Sequence, residues 1–235
     1  MRRTTTERLL IIKRTEDRDY RGKIVALSPE RGRLVFTAKG LFKPQSKLSG
    51  HLEPLSLVDG LIVWSKEPLL SAAVSRQSFL GLKSDLALIV VSTELVRRVI
   101  EWWPLAQPLP RSWQDLITIL TQWNSHHYSL SQLTVGSQIM SWRLARELGY
   151  APGHTCIQCG RPLSTAFWSE TQGGFFCEVC QPKGPTYKLS PSTLVIWEDL
   201  VQDEHLQLTK LPSSPTILEE LTAFFNSWLN FLALC

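Results

Sequence analysis

The sequence lacks any long hydrophobic run. Its longest stretch of consecutive apolar residues, 86–91, contains only six residues, whereas a helix needs about 20 to cross the hydrocarbon core of a membrane. The first 14 residues, MRRTTTERLLIIKR, include four consecutive apolar residues, fewer than the roughly 7–15 in the core of a secretory signal. Both absences predict a soluble, intracellular protein, in which cysteines serve as metal ligands more often than as disulfides.

The sequence also lacks the short motifs that mark common enzyme classes. It contains no GxxxxGK(S/T) phosphate-binding loop, no GxGxxG dinucleotide-binding turn, no HExxH metal-binding helix and no GxSxG nucleophile turn. His51-Leu52-Glu53 matches the first half of the zinc deaminase signature, but neither cysteine pair follows the proline that the second half requires. We interpret that match as chance and predict that the protein is not an enzyme.

Three acidic residues near the N-terminus leave one enzymatic alternative open. Glu16, Asp17 and Asp19 could chelate magnesium, as the acidic residues of a metal-dependent nuclease do. They alternate with basic residues in the stretch KRTEDRDYR, and opposite charges in an exposed loop pair weakly with one another. A solvated, charge-paired loop is therefore the preferred interpretation.

Cysteine is scarce, and four of the five cysteines form two pairs. The pattern C-x2-C-x17-C-x2-C brings two thiolates of each pair to one ion, and two such turns complete a tetrahedron. Four cysteines leave no coordination position open, so the sequence predicts one structural zinc ion per chain. Two redox-active pairs and an iron–sulfur cluster are the alternatives. The four predicted ligands are Cys156, Cys159, Cys177 and Cys180.

The 17 residues between the cysteine pairs predict a β-hairpin. A Thr-Gln-Gly-Gly turn separates two aromatic pairs, whose rings could cover the metal site. These pairs are Phe167-Trp168 and Phe175-Phe176. Cys235 has no partner at this spacing, and we interpret it as incidental.

Charge is unevenly distributed along the chain. Residues 1–80 carry 15 Lys and Arg against 8 Asp and Glu, a net charge of +7, whereas residues 81–235 carry 10 against 13, a net charge of −3. Such asymmetry indicates that the N-terminal part binds a polyanion, whereas the remainder of the chain has a different role.

The pattern of apolar residues predicts strands first and helices afterwards. Short apolar runs at 9–12, 24–27, 34–36, 55–63 and 69–74, separated by turn residues, predict a small barrel or sandwich over residues 1–80. Helices are predicted at 85–103, with Ser84 as the N-cap, and at 113–123, 131–148 and 192–201. Ser214 and Pro215 begin a final amphipathic helix.

A basic segment within the predicted barrel is a candidate nucleic-acid interface. Residues 31–52 contain no acid, and aromatic residues are interleaved with the cations. Cations neutralise phosphates and exposed aromatic rings can stack on bases. Phe36 is predicted to lie in the core, whereas Phe42 could be either core or a base-stacking residue. The candidate DNA-binding residues are Arg31, Arg33, Lys39, Lys43, Lys47 and Phe42.

Four stretches of the sequence, in order, resemble the RecO family of bacterial recombination mediators. The stretch RGRLVFTAKGLFKPQSKLSGHLEPLSLV (31–58) resembles that family's N-terminal barrel, and TELVRRVIEWW (93–103) resembles a helix of its C-terminal domain. The stretch RLARELGYAPGHTCIQCGRPL (143–163) resembles the helix that leads into its zinc knuckle. YKLSPSTLVIWEDL (187–200) resembles the segment that follows the knuckle.

The resemblance implies an α+β fold and a non-enzymatic role in DNA repair. It implies an OB-fold DNA-binding domain over residues 1–80 and a helical domain over 81–235, with a zinc module inserted at 152–184. Members of this family bind single- and double-stranded DNA, anneal complementary strands and associate with RecR and single-stranded-DNA-binding protein, and so help RecA load. The resemblance also implies a cytoplasmic, nucleoid-associated protein. No element that reads bases is evident, so little sequence preference is expected.

Two other functions stay open at this point. One is a zinc-ribbon interaction or regulatory protein without a role in repair, and the other is the metal-dependent nuclease. The many tryptophans of the helical half are equally open, since they could form a core or a partner surface. They include Trp102, Trp103, Trp113, Trp123 and Trp142.

Overall fold

The structure is a computed structural model that describes residues 3–202 and 206–234. Cys235 lies outside the described residues. The chain divides into two compact units, Met1–Ser125 and His126–Cys235. Within the described residues, no helix combines the length and the apolar character that a membrane span requires.

The first unit begins with a closed five-stranded barrel of the OB type, as predicted. Its strands run in the order β1-β2-β3-β5-β4 around the barrel. All neighbours pair antiparallel except β3 and β5, which meet in parallel at Thr37 and Leu69. The strands are β1 (Arg3–Glu16), β2 (Gly22–Ser28), β3 (Gly32–Ala38), β4 (Ser56–Trp64) and β5 (Leu69–Gln77).

Alternation of apolar and polar residues places the barrel core. Successive side chains of a strand point to opposite faces, so Leu34 and Phe36 of β3 face inward while Val35 lies between them. Phe36 is only 2% exposed, which confirms that it belongs to the core. Strand β1 is longer than its four apolar residues suggest, because its first half pairs with β4 and its second half with β2. A register shift after Ile11 marks this change of partner.

Three helices complete the first unit. They are α1 (Leu80–Ser84), α2 (Leu86–Trp102) and α3 (Pro110–Ser125). The predicted N-cap was wrong by one residue: the Asp85 carboxylate accepts a 3.0 Å hydrogen bond from the Leu88 N–H, while Ser84 ends α1 and donates to the Gly81 carbonyl. By their contacts these helices belong to the same compact unit as the barrel, and the functional division at residue 80 stays a prediction.

The second unit combines three helices with a small sheet of order β7-β6-β8. Its helix α4 begins with a capping box, in which Ser129 and Gln132 satisfy each other's backbone N–H groups. Gly149, the residue after the C-cap Leu148, has the left-handed φ of +86° that this position favours. The elements are α4 (Leu130–Glu147), β6 (Ala166–Ser169), β7 (Gly174–Phe176), β8 (Tyr187–Leu189), α5 (Pro191–Gln202) and α6 (Pro215–Leu234).

Tryptophans form cores in both units. Trp142 is fully buried, with its ring centroid 4.7 Å from that of Trp228 and 5.4 Å from that of Trp197. Tilted and edge-on contacts of this kind stabilise by about 0.5–1.5 kcal/mol each beyond the area they bury. In the first unit Trp103, Trp113 and Trp123 are likewise buried. Of the two interpretations of these four tryptophans, the core is the one the structure supports.

Candidate metal centre and nucleic-acid interface

The four paired cysteines converge on one point in the second unit. Their Sγ atoms all lie within 4.8 Å of one another, and those of Cys159 and Cys177 are 3.8 Å apart. A zinc ion with Zn–S bonds of about 2.3 Å would hold tetrahedral sulfurs about 3.8 Å apart. The spacing of the sulfurs therefore fits a single tetrahedral ion.

The first cysteine pair lies on a tight turn that backbone hydrogen bonds close. The Cys156 N–H donates to the Arg161 carbonyl at 2.9 Å, and the Gly160 N–H donates to the Cys156 carbonyl at 2.8 Å. Gly160 has a φ of +72°, a left-handed conformation that glycine adopts without steric strain. This turn brings the thiols of Cys156 and Cys159 to the same side.

The second pair follows strand β7 directly and is tied to the first. The Cys180 N–H donates to the Cys177 carbonyl at 3.1 Å, and the Ile157 N–H of the first turn donates to the Phe175 carbonyl at 2.9 Å. A Cβ on Gly174 would lie 2.6 Å from the Ile157 side chain, so only glycine permits this approach. The predicted hairpin, β6 and β7, thus sets one pair against the other.

The hairpin's aromatic residues anchor the metal module to the helices. Trp168 and Phe175 are fully buried, and their ring centroids lie 5.6 and 5.2 Å from that of Phe224 on α6. Phe175 also lies 5.2 Å from Trp197 on α5. Two of the four rings predicted to cover the metal site therefore belong to the core of the second unit.

The four thiols influence one another's ionisation. Burial opposes ionisation of Cys156, but backbone hydrogen bonds from Cys177, Cys159 and Gln158 outweigh it and lower the pKa of its thiol to about 6. A hydrogen bond with Cys177, together with burial, raises the pKa of the Cys180 thiol to about 12. Like charges this close disfavour each other, so four thiolates coexist only around a positive ion.

Carboxylates form no comparable cluster. Among residues 3–202 and 206–234, the four cysteines are the one group of three or more Cys, His, Asp or Glu whose ligand atoms could share an ion. Glu16, Asp17 and Asp19 lie exposed around the β1–β2 turn without converging. His51 faces the barrel, where its Nδ1 lies 2.8 Å from the Ser75 hydroxyl and accepts from the Ser75 N–H at 3.3 Å.

The basic segment does not form one surface. Arg31 and Arg33 flank the start of β3, whereas Lys39, Lys43 and Lys47 follow its end. A seven-residue strand rises about 3.3 Å per residue, so these two ends lie about 20 Å apart. Residues adjacent in sequence are thus divided between two ends of the barrel.

Arg31 neutralises a buried carboxylate. Its Nε donates to Glu7 Oε1 at 2.8 Å, and Glu7 is only 6% exposed. The guanidinium also lies 4.6 Å from the ring centroid of Trp64, a cation–π contact. Arg31 therefore has a structural role whether or not it also contacts DNA.

Arg31→Ala is expected to lower the free energy of unfolding by about 2 kcal/mol. Removal of one partner from a fully buried pair costs about 3–5 kcal/mol, and we discount that range because the Arg31 side chain is 36% exposed. Urea denaturation measures the loss, with Glu7→Gln/Arg31→Ala as the control that removes both charges. A loss below about 0.5 kcal/mol in the single variant would contradict this role.

Arg33 is also engaged within the protein. Its Nη1 donates to the Ile100 carbonyl at 3.2 Å, near the C-terminal end of α2, where the helix dipole favours a cation. The Ala106 N–H donates to the Arg33 carbonyl at 3.2 Å. Arg33 thus joins β3 to α2 and to the segment after it.

The three lysines lie on an ordered connection between β3 and β4, residues 39–55. Leu41 and Leu52 of this connection are fully buried in the barrel core. Its one acid, Glu53, lies 3.8 Å from both Arg14 and Lys83. In the described part of the chain, no hydrogen bond or ion pair engages the exposed ammonium groups of Lys39, Lys43 and Lys47. The connection therefore presents these three cations to solvent.

Phe42 and the β1–β2 turn complete this end of the barrel. Phe42 is half-buried against the barrel core, and the Arg14 guanidinium carbon lies 6.0 Å from its ring centroid. Its N–H donates to the Tyr20 carbonyl at 3.3 Å, which ties the connection to the β1–β2 turn, residues 17–21. We call the cationic and aromatic side chains of these two segments the basic end: Arg18, Tyr20, Arg21, Lys39, Phe42, Lys43 and Lys47. Asp17 and Asp19 are exposed in the same turn.

The sequence alone did not place the β1–β2 turn beside the candidate interface. Arg18 is exposed and Arg21 half-buried in this turn, 18 or more residues before Lys39. From the sequence, the stretch KRTEDRDYR favours a charge-paired loop and leaves a magnesium site as the alternative; neither interpretation includes contact with DNA. The fold class could have pointed to this turn, because the loop between the first two strands of an OB-fold commonly contacts nucleic acids.

Comparisons with known proteins agree with this architecture. The family model described as "Recombination protein O C terminal" matches residues 85–232. A DNA repair protein RecO from Dehalococcoides mccartyi is 23% identical over 233 residues, which cover 96% of this chain and 89% of the relative. Proteins of the same name from Heliobacterium modesticaldum and Synechococcus elongatus are 26% and 28% identical, over 88% and 97% of this chain and 77% and 86% of the relatives. The chain therefore belongs to the RecO family and has a role in DNA repair and recombination.

Proposed function

We propose that this protein is a non-enzymatic recombination mediator that binds single- and double-stranded DNA without strong sequence preference and anneals complementary strands. With RecR it helps load RecA onto single strands coated by single-stranded-DNA-binding protein, in the cytoplasm at the nucleoid. The observation that carries the DNA-binding part is the basic end, where three exposed lysines lie on a connection that the barrel core holds in place.

The annealing activity follows from electrostatics. Two single strands repel each other through their phosphates, and a cationic surface lowers that repulsion by replacing condensed counterions. Lys39, Lys43 and Lys47 supply charge without a rigid, base-reading geometry, so they hold strands of any sequence. The acidic helical region, residues 81–235, supplies the contacts to partner proteins, and the charge difference between the two regions motivates this assignment.

The four cysteines hold one structural zinc ion in this proposal. Cys156, Cys159, Cys177 and Cys180 fill a tetrahedral coordination shell, and zinc is the ion that four thiolates at this spacing favour. The ion's contribution is to fix the module's fold, since no coordination position is open for a substrate.

An annealing assay with the full-length protein tests the function. We expect it to accelerate the pairing of two complementary labelled strands. The acceleration should disappear as salt rises, because the logarithm of the affinity for DNA falls linearly with the logarithm of the salt concentration. The control strands are non-complementary and of the same length. Strands that anneal no faster with the protein, at any salt concentration, would contradict the annealing proposal.

A pull-down distinguishes the mediator from an interaction protein without a role in repair. Tagged protein should recover RecR and single-stranded-DNA-binding protein from nuclease-treated extract, where DNA no longer bridges them. If neither is recovered and the protein does not bind DNA, the interaction-protein alternative is the better description.

A further inference from the structure

The β1–β2 turn presents an exposed aromatic residue at the basic end. Tyr20 is 53% exposed, and within the described part of the first unit, residues 3–125, no other aromatic side chain is exposed to this extent. Large aromatic residues are usually at least half-buried in folded proteins. An exposed tyrosine in a turn that holds two arginines and two aspartates is therefore a feature that packing does not explain.

The backbone at this position is unusual for a bulky residue. Both Asp19 and Tyr20 have a φ of +58°, in the left-handed region, which disfavours side chains with a Cβ and suits glycine. The turn is nevertheless closed, since the Asp17 N–H donates to the Arg21 carbonyl at 2.7 Å. A tyrosine kept where glycine would be less strained indicates that the side chain has a use.

The surroundings of Tyr20 indicate what that use is. Its carbonyl accepts from the Phe42 N–H at 3.3 Å, so it adjoins the connection that carries Lys39, Lys43 and Lys47. Arg18 lies exposed in the same turn, where Asp17 and Asp19 balance the charges of Arg18 and Arg21, so the positive charge beside Tyr20 comes from the three lysines. A cationic surface that follows a phosphate backbone, with an aromatic face beside it, is the arrangement that binds single-stranded nucleic acids by base stacking.

We propose that Tyr20 stacks on an unpaired base, so that the basic end binds single-stranded DNA in preference to duplex. The inference rests on the proposed function and adds to it the form of DNA selected and the residue that selects it. Duplex DNA keeps its base faces stacked on one another and offers Tyr20 none. Its phosphates meet only the cations, whereas an unpaired strand meets both the cations and the ring.

Full-length Tyr20→Ala tests the inference against oligo(dT), a duplex of the same length and a strand of abasic residues. We expect oligo(dT) affinity to fall by about 5- to 150-fold, the range measured for loss of one stacked base. The slope of affinity against salt should stay unchanged, because no phosphate contact is lost. Affinity for the duplex and for the abasic strand should stay within about twofold of wild type, since neither offers a free base to stack.

Two further variants separate stacking from the shape of the turn. Tyr20→Trp restores a stacking face and should keep the oligo(dT) affinity. Tyr20→Gly relieves the left-handed backbone, so it should fold at least as stably as wild type and still lose oligo(dT) affinity. Stability is measured by thermal unfolding of each variant.

The outcomes distinguish a failure of the stacking inference from a failure of the proposed function. If Tyr20→Ala binds oligo(dT) as wild type does, or loses duplex and oligo(dT) equally, the stacking inference is overturned while DNA binding by the lysines stands. If wild type binds none of the three DNAs, the proposed function itself fails, and this inference fails with it.

Discussion

Cys156→Ser is expected to abolish stable metal binding and to unfold the metal module of the second unit. The module, residues 152–184, contains strands of only four and three residues, and a two-stranded hairpin of that size is marginal in water without further support. Metal binding to such a site contributes on the order of 10 kcal/mol of folding free energy. Replacement of the buried ligand removes most of that contribution, because three cysteines and a hydroxyl hold the ion far less tightly.

The unfolding should extend into the helical core. Trp168 and Phe175 on the hairpin pack against Phe224, and Phe175 also packs against Trp197. Loss of the hairpin exposes these rings, so near-ultraviolet circular dichroism and tryptophan emission should change together. The barrel of the first unit should keep its strand signal.

Metal release and thermal unfolding are the measurements. Denatured wild type should release one zinc per chain, and Cys156→Ser should release well under one. Cys235→Ser is the matched control, since Cys235 lacks a partner at the required spacing, and it should release one zinc and unfold as wild type does. Chelator at acidic pH should mimic the substitution, because protons compete with the ion for the thiolates.

Two results would contradict the metal prediction. Zinc-free protein with an unchanged unfolding transition would show that the ion is not structural. Iron and sulfide in place of zinc would favour the iron–sulfur alternative.

The triple change Lys39→Glu, Lys43→Glu and Lys47→Glu is expected to lower affinity for single-stranded DNA by about 100-fold or more. Each lost phosphate contact removes about 0.7 from the slope of log affinity against log salt, so the slope should fall by about 2. Reversal of charge adds repulsion of the phosphates to the loss of the contacts. The fold should survive, because all three side chains are exposed and unpaired within the described chain.

A matched control changes the same net charge elsewhere. Arg161→Glu, Lys183→Glu and Lys188→Glu alter three exposed cations of the second unit and should cost much less affinity. Fluorescence anisotropy over a salt series compares the two triple variants, with circular dichroism as the check on folding. Equal affinities for the two variants would place the DNA site elsewhere and contradict the role of the basic end.

The stability and the salt dependence of Arg31→Ala together decide the role of Arg31. If Arg31→Ala loses stability without a change in the salt slope, its main role is to neutralise Glu7. If the slope of log affinity against log salt falls while the free energy of unfolding is unchanged, Arg31 contacts a phosphate, as the lysines are proposed to do. The contacts of Arg31 within the barrel favour the first result, since its guanidinium is occupied by Glu7 and Trp64.

Much of the fold could be predicted because it depends on neighbours close in sequence. The five strands follow from short apolar runs between turn residues, and the capping of α4 by Ser129 and Gln132 depends on residues three apart. The four-cysteine cluster could be predicted for the same reason, since a Cys-x-x-Cys turn needs only four residues to bring two thiols together. The order of strands followed by helices and the four-cysteine cluster were therefore predictable from local patterns, whereas the choice of an OB barrel over a sandwich, and with it the α+β fold, came from the resemblance to the RecO family.

Contacts between distant residues decided the rest. Arg31 and Lys39 lie in one acid-free segment, yet extended β3 separates them, and the partners of Arg31 and Phe42 are Glu7 and Tyr20, each more than 20 residues away. Composition indicates that a segment is basic, but only strand pairing determines which cations stay free for a ligand and which neutralise the protein's own carboxylates and helix ends. For this chain, local sequence spacing located the four-cysteine cluster, whereas the closure of the barrel determined which cations have a structural role and which remain exposed.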